Sequence, residues 1–234
     1  MQNILGGQGL SILARLLAFF TAIPFHEAAH GFISEKLGDP TARNLGRITL
    51  NPIKHVDPWG LVAMLTIGIG WAKPVPVNPA YYKKPKVGMA VTAAAGPLSN
   101  LLLAYVNTVL FKVGSYVFYG IYGGAFPAAV VVVLTILQYL AYINISLAIF
   151  NLLPVPPFDG SRIFALFLPQ KAYFSIQKYE RYMMFILIAV MFVLPYALNI
   201  NPIGWLLGTV NTAVQAAFNW ATGYIDLIAG LILL

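Results

Sequence analysis

The sequence contains no cysteine and very little charge. Its 234 residues include 14 Lys and Arg, only 7 Asp and Glu, and 3 His. Without cysteine, the chain can have no disulfides, thiolate nucleophiles or cysteine-ligated metals. Charged residues make up 9% of the chain, whereas soluble domains have about 25%. Together with a mean hydropathy of +0.78, this composition indicates an integral membrane protein.

The positive net charge is concentrated in two polar segments. Residues 38–86 and 160–181 contain eleven of the fourteen Lys and Arg, whereas the connections near 120–126 and 199–203 contain none. Because cytoplasmic loops of membrane proteins are enriched in Lys and Arg, both basic segments are expected in the cytoplasm. This distribution explains the charge without nucleic acid, and no nucleic-acid partner is predicted.

Long apolar runs predict an all-α polytopic membrane protein with about five or six transmembrane helices. The first helix begins near Leu10 and continues through Leu37. Further spans are expected over about 87–119, 126–153 and 182–199, with at least one more in the tail. The chain 1–234 is expected to form a single domain. Its catalytic core would cover about 9–168, and C-terminal helices about 181–234.

A small irregular element is expected between the first and second full spans. Residues 59–70 are apolar but too short to cross a bilayer, so a re-entrant segment is predicted there. The alternation of Pro and Val in 71–79 disfavours helix. Together with the strand-like residues 47–50, it predicts a β-hairpin.

Two of the three histidines lie inside the first apolar helix, in the stretch FFTAIPFHEAAHGF. His26 and His30 are four residues apart, so they share one helix face and can bind the same metal ion. Glu27 follows the first histidine and can reach a metal-bound water, as in the H-E-x-x-H pattern of zinc peptidases. Ionisable groups in hydrocarbon are costly and normally functional. The pattern therefore predicts one Zn²⁺ per chain.

A catalytic zinc site needs a third protein ligand. Asp159 is the strongest candidate, because it follows a proline-broken helix at the expected depth of His26, and Gly160 permits a tight turn. His55 and Asp57 compete with it, being close to the histidine pair in sequence. Whether either contributes to the site stays open at this point.

Several separated motifs resemble the site-2 protease family of intramembrane zinc metalloproteases. They are HEAAH, GPLSN and NLLPVPPFDG, and the loop pieces GRITLNPIKHVDPWG and GWAKPVPVNP resemble its compact bacterial and archaeal branch. The resemblance implies zinc ligation by His26, His30 and Asp159. It also implies that Glu27 is the catalytic acid and base and that Asn151 helps to hold the substrate or the oxyanion. No PDZ-like or nucleotide-binding domain is recognised.

The GPLSN motif also has a purely structural interpretation. Gly96 and Ser99 are small residues that allow close helix packing, and Asn100 is suited to an interhelical hydrogen bond. We expect this packing role for the motif and no direct chemical one.

The expected function is hydrolysis of peptide bonds in or near transmembrane segments, by a zinc-activated water with Glu27 as general base and acid. The expected partners are a transmembrane protein substrate and the lipid bilayer, and the oligomeric state is not predicted. The protein should be a multi-pass protein of the cell membrane with its active site near the cytoplasmic side. The alternatives are a membrane metal transporter, which would also need intramembrane His and Asp, and an inactive homologue that binds membrane segments.

Overall fold

The structure is a computed structural model that describes residues 7–67, 70–169, 179, 182–183, 186–187 and 189–233. The helices of this part of the chain are α1 Gly7–Lys36, α2 Thr41–Asn44, α3 Pro58–Ile67, α4 Pro85–Tyr122, α5 Ala128–Asn151, α6 Asp159–Phe164, α7 Leu194–Leu198, α8 Pro202–Ala221 and α9 Gly223–Leu233. Short 3₁₀ turns cover Pro52–Lys54, Pro79–Tyr81 and Ala165–Phe167, and a π-helical turn covers Ala189–Val193.

Three of the described helices contain segments long and apolar enough to cross a membrane. These segments are Ile12–Lys36, Pro85–Tyr122 and Ala128–Asn151. A fourth crossing would require the bent pair Ala189–Leu198 and Pro202–Ala221 to act as one span. The helical membrane architecture agrees with the sequence-based prediction, whereas the count of five or six spans is not confirmed. The span predicted over 182–199 lies partly outside the described residues.

The connection between α1 and α4 consists of short helices and extended chain. With ten residues, α3 is about 15 Å long, which is too short to cross a bilayer. In the described part of this connection there is no strand, and a single antiparallel bridge joins Val56 to Ala72. The predicted β-hairpin is therefore not confirmed. Pro74 and Pro76 explain why, because they lack the backbone N–H groups that a regular ladder needs.

The central helix is α4, which packs against both α1 and α5. Small residues on these helices are fully buried, namely Ala14 and Ala22 on α1, Ala104 on α4 and Ala148 on α5. Small side chains let helix backbones approach closely, which strengthens van der Waals packing between helices in lipid. This close approach brings one end of each of the three helices together.

The loop after α1 is anchored by the buried carboxylate of Asp39. Its Oδ2 accepts hydrogen bonds from the Ser34 hydroxyl at 2.8 Å and from the Asn78 amide at 2.7 Å, and its Oδ1 accepts one from the Thr41 amide at 3.0 Å. Burial raises the pKa of the Asp39 carboxyl, but these hydrogen bonds outweigh it and hold the pKa below its ordinary value. Asp39 thereby fixes the end of the extended segment 72–78 beside α1.

Replacing Asp39 by Ala should lower the thermal unfolding temperature, because each hydrogen bond to a charged group contributes about 1.5–3 kcal/mol. The contribution of Asp39 is fully present above the unfolded-state pKa of about 3.9, and it is lost as the pH falls through the lower pKa of the folded protein. Thermal unfolding of the detergent-solubilised chain at decreasing pH should therefore show a smaller acid-induced loss in Asp39→Ala than in wild type. Asp39→Asn keeps one acceptor oxygen and should have an intermediate unfolding temperature. Wild-type unfolding temperature and acid sensitivity in Asp39→Ala would contradict this role.

Candidate metal centre

The two histidines of the first helix meet on one face, as their spacing predicted. The imidazole rings of His26 and His30 are 4.6 Å apart between centroids and nearly perpendicular. Their side chains are 12% and 11% exposed, so both are largely buried in the protein. Two nitrogen donors are therefore held together inside the helix bundle.

Asp159 reaches the same point from the first residue of α6. Its Oδ2 lies 3.1 Å from His26 Nε2 and 3.3 Å from His30 Nε2. One ligand atom of each of the three residues lies within 4.8 Å of those of the other two. The turn before α6 is tight, since a Cβ on Gly160 would lie 2.2 Å from the Leu152 carbonyl oxygen. Glycine at that position allows Asp159 to face the histidines.

The competing candidates for the third ligand have other partners. His55 is fully buried, and its Nε2 lies 2.8 Å from the carbonyl oxygen of Thr49. The Oδ1 atom of Asp57 accepts hydrogen bonds from the Trp59 and Gly60 amides, both at 2.9 Å, and so caps the start of α3. Neither residue belongs to the group of ligand atoms found among the described residues. This geometry favours Asp159 as the third ligand.

Both imidazoles are oriented by acceptors on α4. His30 Nδ1 lies 2.8 Å from the carbonyl oxygen of Thr92, which can only accept a hydrogen bond. His26 Nδ1 lies 2.6 Å from Asn100 Oδ1. When Nδ1 donates, Nε2 carries the free lone pair of a neutral imidazole, which is the form that binds metals. Two such imidazoles and a carboxylate are a ligand set that suits zinc.

Gly96 allows α4 to approach these rings. A Cβ at this position would lie 2.5 Å from His30 Nε2 and 2.6 Å from His26 Nε2. Gly96 and Asn100 are four residues apart on α4, so the same helix face supplies both the space and the acceptor. The prediction that GPLSN serves helix packing is therefore incomplete, because the packing partner is the candidate metal centre.

The carboxylate of Glu27 points beside the three ligand atoms toward the extended segment 72–78. Its Oε2 accepts a hydrogen bond from the Val75 amide at 2.7 Å. This contact was missed by sequence reasoning, because nothing in the pattern of residues 72–78 singles out the Val75 amide. Glu27 is thus held in place without belonging to the ligand group.

Comparisons with known proteins bear on this arrangement. The family model described as Peptidase family M50 matches residues 14–194, which include all five predicted site residues. The chain belongs to peptidase family M50. This assignment confirms the predicted family and the predicted enzyme class, a zinc metalloprotease.

Three relatives of this M50 chain share the name "Putative zinc metalloprotease". YwhC of Bacillus subtilis (strain 168) is 39% identical over 190 residues, which cover 80% of this chain and 83% of the relative. MJ0611 of Methanocaldococcus jannaschii is 30% identical over 163 residues, covering 66% and 70%. Rip2 of Mycolicibacterium smegmatis is 25% identical over 157 residues, covering 65% and 56%. No solved structure matches the chain.

The ligand atoms of the M50 chain open onto a cavity of about 190 Å³. It is lined by His26, Glu27, His30, Pro74, Val75, Val77, Met89, Thr92, Ala93, Asn151, Pro157, Asp159 and Arg162. Asn151 is thus part of the wall, and its side-chain amide donates to the Leu147 carbonyl of its own helix at 2.9 Å. Asn151 therefore lies beside the candidate ligands without a direct hydrogen bond to them, and its expected role at the oxyanion stays a prediction.

Replacing Asp159 by Ala should remove most of the bound zinc, because only two of the three protein ligands remain. Asp57→Ala is the matched control, since it removes a carboxylate that only caps α3, and it should keep the wild-type zinc content. Elemental analysis of the purified chains measures zinc per protein. Loss of zinc in Asp57→Ala with retention in Asp159→Ala would show that the third ligand is assigned wrongly.

Proposed function

We propose that the chain is an intramembrane protease that hydrolyses peptide bonds in or near the transmembrane segments of membrane proteins. The observation that carries the proposal is the convergence of His26, His30 and Asp159 within 4.8 Å, with Glu27 beside them. This group lies where three apolar helices meet at one end. The M50 family match supports peptidase chemistry, and the apolar helices support a substrate that shares the membrane.

The proposed mechanism assigns proton transfer to Glu27. Zinc, when held by the two histidines and Asp159, supplies the Lewis-acid chemistry that polarises a carbonyl and makes water nucleophilic near neutral pH. Glu27 accepts the proton of the attacking water on its carboxylate and then donates it to the leaving amine. The Val75 amide holds Oε2, which leaves Oε1 free for this exchange.

Asn151 is proposed to stabilise the oxyanion that develops on the scissile carbonyl. One hydrogen of its side-chain amide is used by the Leu147 carbonyl, so a second hydrogen remains for a substrate oxygen. Asn151 lines the cavity that contains the ligands and Glu27. Loss of a comparable donor costs about 2.7–4 kcal/mol of transition-state stabilisation where it has been measured.

The substrate strand is proposed to lie along the extended segment 72–78. A helical substrate hides its peptide bonds in its own hydrogen bonds, so it must unwind before cleavage. Pro74, Val75 and Val77 line the cavity, and an extended segment can pair with an unwound strand. The prolines limit this pairing, because they have no amide N–H. The Lys73 carbonyl already accepts a hydrogen bond from Arg47, so the partners that remain are the carbonyl groups of residues 74–77 and the Val77 amide.

The alternatives from the sequence analysis receive less support. A metal-permeation path needs ligands at several depths in the bilayer. The structure, in the part it describes, contains a single group of three residues that could hold a metal ion. An inactive homologue would not require a carboxylate held beside that group, as Glu27 is.

The active site is proposed to lie near the cytoplasmic face of the cell membrane. The site is formed where α1 and α5 approach their C-terminal ends and α4 its N-terminal end. The loops leaving this end of the bundle belong to the two basic segments 38–86 and 160–181. Basic loops are retained in the cytoplasm.

Single cysteines introduced into this cysteine-free chain should report its orientation. Asn44 and Ala125 are both exposed and lie at opposite ends of the bundle. A membrane-impermeant maleimide applied to intact bacterial cells should label Ala125→Cys and should label Asn44→Cys only after permeabilisation. The reverse pattern would overturn the proposed orientation.

Replacing Glu27 by Gln should abolish cleavage while leaving the metal centre intact. The amide keeps the size of the side chain but cannot exchange the proton, so the cleavage rate of a transmembrane peptide should fall by about 10²–10⁴-fold. Zinc content and thermal unfolding temperature should stay near wild type.

The matched control is Glu35→Gln, the same change on the same helix. Glu35 pairs with Arg43 outside the cavity, so this variant should keep wild-type cleavage. Wild-type cleavage rates in Glu27→Gln would refute the proposed mechanism. Metal transport without cleavage by the wild-type protein would instead support the transporter.

A further inference from the structure

A chain of buried amide side chains connects the candidate metal ligand His26 to α5. His26 Nδ1 lies 2.6 Å from Asn100 Oδ1, and Asn100 Nδ2 donates to Asn144 Oδ1 at 3.1 Å. Asn144 Nδ2 donates in turn to the Leu140 carbonyl oxygen at 2.9 Å. Asn100 and Asn144 are 0% and 1% exposed, so neither can exchange these partners for solvent.

The direction of every hydrogen bond in this chain follows from its last member. The Leu140 carbonyl can only accept, so the NH₂ group of Asn144 must face it and its Oδ1 must face Asn100. Asn100 must then direct its own NH₂ group to Asn144 and its Oδ1 to the ring of His26. An oxygen facing Nδ1 requires that Nδ1 carry the proton.

We infer that Asn144 is a positioning residue for the metal centre, which acts through Asn100 to keep a proton on His26 Nδ1 and so directs Nε2 toward the other candidate ligands. This inference rests on the proposed zinc site. If Asn100 were to rotate by a half turn, its NH₂ group would face Nδ1. The ring would then favour the proton on Nε2, where it blocks metal binding.

The two histidines differ in how they are fixed. His30 is oriented directly by a backbone carbonyl, that of Thr92. His26 is oriented by the Leu140 carbonyl only indirectly, through the side chains of Asn100 and Asn144. Of these two side chains, Asn144 is the one that does not contact the imidazole ring. A substitution at Asn144 therefore tests orientation without removing any group from the site.

The test compares Asn144→Leu, which has a similar volume but no hydrogen-bonding group, with Asn107→Leu. Asn107 makes the same bond to the carbonyl four residues earlier, that of Leu103, but does not belong to the chain. Chelator competition with the full-length purified proteins gives the zinc dissociation constant. We expect about 10–100-fold weaker zinc binding in Asn144→Leu and wild-type binding in Asn107→Leu.

A conservative variant and a spectroscopic measurement separate orientation from packing. Asn144→Asp keeps an acceptor for Asn100 and, when protonated, a donor for Leu140, so it should restore most of the affinity. If Asn144→Leu does not fold, Asn144→Ser provides the same test, because its short side chain does not reach Asn100. Because the chain has only three histidines, ¹⁵N-histidine NMR of the zinc-free protein can report the His26 tautomer.

The inference predicts a fully protonated His26 Nδ1 in wild type, whether or not Nε2 also carries a proton toward Asp159, and a partial loss of the Nδ1 proton in Asn144→Leu. Unchanged affinity and an unchanged tautomer in Asn144→Leu would overturn it. If wild type binds no zinc at all, the proposed function fails, and the tautomer measurement still decides the role of Asn144.

Discussion

The contact between α1 and α4 is the interaction on which the rest of the site depends. Polar groups at membrane depth are stable only when they are paired, because hydrocarbon offers no hydrogen bonds. The two histidines on α1 each contact a hydrogen-bond acceptor on α4. Because Gly96 has no side chain, α4 can come close enough to the two rings for these contacts. The same close approach that packs the helices therefore also prepares the nitrogen atoms for a metal.

Sequence reasoning identified the candidate metal ligands that the structure brings together because their signals are local. The spacing of His26 and His30 is a property of one helix, and Asp159 was found from the depth at which a proline-broken helix ends. The supporting contacts were missed because they join residues far apart in the chain: His30 and Thr92 are 62 positions apart, and Glu27 and Val75 are 48. Such contacts depend on how distant segments pack together in three dimensions, and a single sequence shows no local pattern for this.

The elements that were predicted less well are those in which local preferences conflict. Residues 72–78 combine β-branched valines with prolines, and the backbone stays extended without forming a ladder. The long apolar helices α1, α4 and α5 were predicted nearly to their ends, because continuous hydrophobicity leaves no competing structure. Toward the C-terminus, turns and short helices interrupt the apolar pattern, and the number of crossings does not follow from hydrophobicity alone.

The extended segment is held at three successive places. The Lys73 amide donates to the His55 carbonyl, the Val75 amide to Glu27, and the Asn78 amide to Asp39. The last two of these points are three positions apart in the chain, about 10 Å of extended backbone. Because this segment is short and hydrogen-bonded at both ends, a displacement of one end moves the other end as well. A shift of the loop at Asp39, which lies outside the apolar part of the bundle, would therefore change the position of the Glu27 carboxylate.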